Sequence, residues 1–95
     1  MKFRAKPIEV EAFQYDGDFT NSDGEFYVPQ WAVDALKEDK LYFNELNGVP
    51  CELFIDTPES AVHVALDNYV IKADDGTLYT LRPNVFEKLY ERAGE

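Results

Sequence analysis

Lys72 and Arg82 are the residues whose placement most suggests chemistry, and that chemistry is anion binding. They belong to the run IKADDGTLYTLR, in which Asp74-Asp75-Gly76 is a turn signal, with Gly76 free to take the positive φ such a turn demands. If those three residues form the loop, Ala73 lies opposite Thr77. Val70, Lys72, Leu78, Thr80 and Arg82 then share one face of a hairpin, and Tyr69, Ile71, Tyr79 and Leu81 share the other. Lys72 and Arg82 thus leave the hairpin on the same side. Arg4 and Lys6 join them if the first strand neighbours this hairpin. A basic cluster with aromatic neighbours can hold a phosphate by charge-assisted hydrogen bonds and stack a base. Tyr15 and Tyr79 are the stacking candidates, Tyr79 from the opposite hairpin face. The competing reading is that Lys72 and Arg82 pair with acids such as Glu87 or Asp74, each pair worth little at a surface.

Nucleophilic and metal chemistry have fewer means. Cys51 and His63 are the only partners for a thiol dyad, and the strand register derived below sets them on opposite faces of a sheet. Cys51 is expected as a small buried hydrophobe. No second His or Cys completes a zinc set. Asp16-Gly17-Asp18 and Asp74-Asp75-Gly76 lack the glutamate that closes a calcium loop. Neither a Gly-rich phosphate loop nor a nucleophile elbow occurs. The expectation is a protein that is not an enzyme and carries no cofactor or metal.

The elements that must position these residues follow from periodicity. Ile8 to Tyr15 alternates as a strand, with Pro7 marking a kink after the basic Lys2-Arg4-Lys6 edge. The polar segment 16–25 reads as loop. Pro29 suits a first helical turn, and Trp31, Ala32, Ala35 and Leu36 make the apolar stripe of a helix over 29–40. Strands at 41–46 and 51–56 are joined through Asn47-Gly48, a hairpin signal. A third strand, 61–66, follows the loop 57–60, which sets Asp56 opposite Ala61. Cys51, Leu53, Ile55, Val62, Val64 and Leu66 then face one side, and Glu52, Phe54, Asp56 and His63 the other. Asn84 and Glu87 have capping-box spacing for a final helix over 84–93. The sum is a single α+β domain: an antiparallel β-sheet with two short helices packed on it, and Trp31, Ile55, Val62, Val64, Phe86 and Leu89 in its core.

Composition bounds the function. Ninety-five residues give one domain with a modest core, and 45% hydrophobic and 15% aromatic content suit a folded globule. No apolar run approaches the ~20 residues of a bilayer span, and Lys2 and Arg4 are followed by Lys6 and Pro7 rather than the apolar stretch of a secretory signal. The lone Cys51 fits a reducing cytosol. The net charge of −10 is unevenly spread: between residues 7 and 71 the only lysines are Lys37 and Lys40, and arginine is absent. Direct nucleic-acid binding needs a cationic footprint that this chain lacks. The acidity serves either solubility or docking on a basic partner, with Asp34, Glu38 and Asp39 as the acids to engage.

Three segments carry a resemblance. Asn68 to Tyr90, NYVIKADDGTLYTLRPNVFEKLY, is similar to a C-terminal signature of roughly GDYIIKG-x-x-GE-x-Y-x-x-KPDIFE-x-x-Y found in a family of small phage and prophage proteins. Met1 to Tyr15 resembles the family's basic opening and its E-A-F-Q-aromatic run, and Val28 to Leu36 its proline-led helix with an early Trp. Segments 16–27 and 42–53 are unmatched. Asp67-Asn68 replaces Gly-Asp, Ala73 replaces Gly, and Leu81 and Arg82 stand for Cys and Lys. The resemblance implies a phage-derived accessory protein in the cytoplasm of a bacterial host, and it brings no catalytic chemistry with it. Two readings follow. In one, the protein antagonises antiviral defence by sequestering a nucleotide-derived immune signal at Arg4, Lys6, Tyr15, Lys72, Tyr79 and Arg82, in a pocket of the kind often completed across a homo-oligomer interface. In the other, it is an acidic inhibitor that mimics nucleic acid and covers a host nuclease or polymerase. A quieter alternative is a prophage accessory role with no ligand.

Overall fold

The computed structural model describes residues 1–2 and 10–90, with the Pro50 side chain left aside. The α+β class is observed, and the strands divide between two antiparallel sheets. In the first, β1 (Glu11–Gln14), β5 (Tyr69–Lys72) and β6 (Leu78–Leu81) lie in the order β1-β5-β6; in the second, β2 (Leu41–Leu46), β3 (Val49–Asp56) and β4 (Ala61–Val64) follow one another. Helix α1 (Gln30–Lys37) links the sheets in sequence, and α2 (Pro83–Leu89) ends the described chain.

Turn chemistry sets the registers. Asn47 and Gly48 both have positive φ, 55° and 79°, as a two-residue hairpin loop requires. At the other hairpin the Ala73 amide donates to the Thr77 carbonyl at 2.9 Å, with Gly76 at φ 87°. Asp75 Oδ1 accepts the Thr77 amide at 2.9 Å, which holds that carboxyl below its usual range. Asp56 pairs with Ala61, as expected. The strand over 51–56 starts earlier, at Val49, and Cys51 is an unpaired bulge residue, because Asn44 opposes Glu52 while Glu45 opposes Pro50. Instead of a buried hydrophobe, Cys51 is exposed, with its Sγ donating to the Val49 carbonyl at 3.3 Å.

Helix ends depart from expectation for local reasons. α1 stops at Lys37 because Asp39 turns left-handed (φ 61°). The Asp39 and Lys40 amides then bond back to the Leu36 and Ala35 carbonyls, the paired closure of a Schellman motif. α2 begins at Pro83, which has no amide to satisfy, so Arg82 rather than Asn84 is the capping residue and no side chain caps the end. Asp67, where the phage pattern has Gly, takes φ 71°, a conformation Gly would hold without strain.

One hydrophobic cluster draws on both sheets, α1 and the 16–27 loop: Tyr15, Phe19, Ala32, Ala35, Leu41, Leu53, Ile55, Val64 and Val70, with Phe13, Trp31 and Phe43 packed against it. Phe19, from the segment read as polar loop, is 1% exposed and meets Phe13, Tyr15 and Phe43 edge-on at 5.6, 6.1 and 5.2 Å. α2 lies on the far face of the first sheet. Phe86 stacks on Tyr69 at 3.9 Å, and the Tyr79 and Tyr90 hydroxyls hydrogen-bond at 2.9 Å. Of the expected core, Ile55 and Val64 are buried, while Trp31 and Phe86 are half-buried. Val62 and Leu89 are corrected: Val62 lies on an edge strand at 37% exposure, and Leu89 is 65% exposed because α2 touches the sheet through Phe86 and Tyr90.

Phe19→Ala is expected to cost about 3–5 kcal/mol in urea unfolding, and Phe86→Ala about half as much, since its ring is only partly covered. The reverse order would place the main anchor in α2. Asp39→Gly relieves a left-handed residue and should stabilise by about 0.5–1 kcal/mol in the same assay.

Candidate functional site

Among the described residues the expected anion site is not gathered. Arg4 and Lys6 lie outside the described residues. Tyr15 is 3% exposed and packed among Phe19 and Phe43, so its ring has no free face to stack a base, and burial raises its pKa, with Asp18 and Asp16 adding to the effect. Tyr79 faces α2, with its hydroxyl on Tyr90; burial first and that hydrogen bond second push its pKa up to about 12. Lys72 keeps the face that the register gave it, shared with Val70, Leu78 and Thr80, whereas Arg82 stands past the end of β6 as the N-cap of α2. Lys72 opposes Leu78, and Arg82 lies four residues further along, roughly 13 Å at strand spacing. Lys72 Nζ instead pairs with Glu11 at 3.8 Å, across the β1–β5 ladder.

A different pair of lysines shares a cleft. Lys72 and Lys40 line one cleft of about 200 Å³ beside Trp31, between α1 and the Gly76 turn. Asp34 and Glu38 line it too, and Lys40 pairs with Glu38 at 3.6 Å, so the cleft is close to neutral. Asp34 and Glu38, expected as docking acids, are thus partly compensated.

The uncompensated acid lies elsewhere. The 16–27 loop carries Asp16, Asp18, Asp23 and Glu25, the β2–β3 hairpin carries Glu45, Glu52 and Asp56, and neither has a basic residue. The loop is held by its own side chains. Asp18 Oδ1 accepts the Phe19 and Thr20 amides, at 2.8 and 3.3 Å. Asn21 Oδ1 accepts those of Asp23 and Glu25, at 2.9 and 3.0 Å. Tyr27 donates to Asp16 Oδ1 at 2.5 Å, and that bond, more than burial or the neighbouring carboxylates, raises the Tyr27 pKa to about 12. Between loop and hairpin is a groove of about 400 Å³ lined by Phe19, Phe26, Leu36, Phe43 and Val49, with Asp18 at its edge. Sequence reasoning passed over this groove. The available signal was a pair of aromatic residues, Phe19 and Phe26, inside a segment otherwise polar enough for loop.

Cys51 and His63 form no dyad: Cys51 sits at the bulge, whereas His63 opposes Phe54, three residues and about 10 Å further along β3. His63, Phe54 and Tyr42 make a cross-strand aromatic row instead, with centroids 5.4 and 5.5 Å apart. Among the described residues no group of three His, Cys, Asp or Glu could hold a metal ion, and no helix is long and apolar enough to cross a membrane. No family model, curated protein or solved structure matches the chain.

Tyr27 and Tyr79 ionise later in the fold than in the unfolded chain, where a tyrosine titrates near 10. The folded state therefore favours their neutral form, and the stability this supplies is present below pH 10 and lost as pH rises through about 12. Urea midpoints should fall across that window, and Tyr27→Phe should flatten part of the fall. An unchanged slope in that variant would show that the Asp16 bond does not persist in solution.

Proposed function

We propose that this chain is a small non-enzymatic docking protein whose acidic face covers a cationic surface of a partner protein. One observation carries the reading: the 16–27 loop presents four carboxylates, Asp16, Asp18, Asp23 and Glu25, and neither it nor the adjoining β2–β3 hairpin has a basic residue. Such a surface steers and orients a basic partner through electrostatic complementarity, and repels nucleic acid. These are also largely the segments that the phage-family pattern leaves unmatched, as a surface fitted to its own partner would be. With phage origin as the resemblance implies, the partner on this reading is a host defence protein in the bacterial cytoplasm, a nuclease or polymerase with a basic working face.

The sequestration of a nucleotide-derived signal is the second reading, favoured by the presence of Lys40 and Lys72 in one cleft with Trp31. Lysine ammoniums can bind a phosphate and an indole can stack a base. Asp34 and Glu38 in the same cleft oppose an anion there, which is why docking is preferred.

Inhibition assays on purified host nucleases and polymerases, paired with calorimetry against cyclic nucleotides and ADP-ribose-type signals, separate the two. Docking predicts inhibition that fades with salt, drops at least tenfold in Asp23→Lys/Glu25→Lys, and is untouched by Lys72→Ala. Nucleotide binding that falls about tenfold in Lys72→Ala, the weight of one charge-assisted hydrogen bond, with no enzyme inhibited, would replace docking by sequestration.

A further inference from the structure

Charge alone does not explain the groove between the two acidic segments. It is an apolar cleft of about 400 Å³, within the range of small-ligand sites. Phe19 and Phe43 at its base belong to or pack against the core cluster, while Phe26 and Val49 at its sides are 48% and 61% exposed. Leu46, the cross-strand partner of Val49, is a further exposed apolar residue at that hairpin tip. Scattered exposed hydrophobes need no explanation, but several around one concave site do.

The walls are fixed before any partner arrives. Asp18 and Asn21 hold the loop backbone, Tyr27 ties its end to Asp16, and the Thr20–Phe26 bridge closes it. Gly17 at φ 110° lies so close to Leu66 that an added Cβ would sit 3.2 Å from its Cδ2, which seats the loop against the body of the protein. A wall already ordered loses little conformational freedom on binding. No lysine or arginine lines the groove.

We propose that the partner's cationic segment carries a bulky apolar side chain, aromatic or leucine-like, which seats in this groove while flanking lysines or arginines engage the carboxylates of the 16–27 loop. This rests on the docking reading and narrows it: the partner is an amphipathic basic peptide segment, not a uniformly charged phosphate-binding surface. The arrangement is that of an interface hot spot, an apolar anchor in a pocket within a polar rim. A second copy of this chain does not fit the role, because the two acidic surfaces would oppose each other.

The test uses two synthetic peptides, a lysine-rich one with a single central tryptophan and the same peptide with serine there, titrated by calorimetry against the full chain. The tryptophan peptide is expected to bind about tenfold or more tighter, the scale set by burial of one large apolar side chain. Val49→Asp separates the two contributions, since it adds a carboxylate to an acidic surface. If the anchor seats in the groove, Val49→Asp weakens the tryptophan peptide about tenfold and leaves the serine peptide unchanged or tighter; Phe26→Ser weakens only the tryptophan peptide. Equal binding of both peptides, fading with salt and unharmed by Val49→Asp, overturns the anchor and leaves acidic docking standing. Failure of both peptides to bind in a salt-sensitive way overturns docking itself, and the anchor with it.

Discussion

The structure turns on one phenylalanine. Phe19 leaves a loop of aspartates, glycines and asparagine and inserts among Phe13 from the first sheet, Phe43 from the second, and Tyr15. Neither sheet is large: each has three strands, and two of the strands in the first pair over only four residues. Sheets this small bury a face only by sharing one. The ring of Phe19 is what they share, so the loop that supplies it is part of the core rather than a decoration on it. The loop's internal bonds follow from this demand. Asp18 Oδ1 accepts the amide of Phe19 itself, which satisfies the backbone as the side chain goes inward.

That one insertion also makes the candidate site. Because Phe19 pins the loop beside the β2–β3 hairpin, Phe26 and Val49 come to stand on either side of a cleft whose base is the edge of the core. The carboxylates of the 16–27 loop then lie beside an apolar opening, with Asp18 at its edge. An acidic chain gains solubility from any arrangement of its charge; what distinguishes this one is that charge of a single sign borders apolar surface at a concave place. The near-neutral cleft of Lys40 and Lys72 shows the contrast, since there each ammonium already has a carboxylate neighbour.

Most of the architecture was legible from local chemistry. Asn47-Gly48 and Asp75-Gly76 specify their turns through backbone conformation alone, and alternation then fixes which residues share a face. What alternation cannot give is distance along a strand. Period two is silent about the length between Lys72 and Arg82, about 13 Å at strand spacing. Nor does a hydropathy pattern show how strands group into sheets: Tyr15 follows an alternating run, but its burial depends on Phe19 and Phe43, which only the tertiary fold brings to it. The bulge at Cys51 was illegible for a related reason. A single unpaired residue leaves no mark on composition, yet it shifted the hairpin tip by one position and moved the thiol out to solvent.

The same limits explain why the groove escaped the sequence. A binding surface assembled from a loop, a helix side and a hairpin tip has no periodicity of its own, since Phe26, Leu36 and Val49 are about ten residues apart and belong to three different elements. Chemistry-bearing residue types draw attention to catalysis and to anions, whereas docking uses ordinary side chains whose only peculiarity is exposure. The informative sign in this chain was negative. Two segments, rich in carboxylates and without a single lysine, arginine or histidine, nevertheless keep Phe26 and Val49 where water can reach them. Solubility by itself would favour polar residues at both positions.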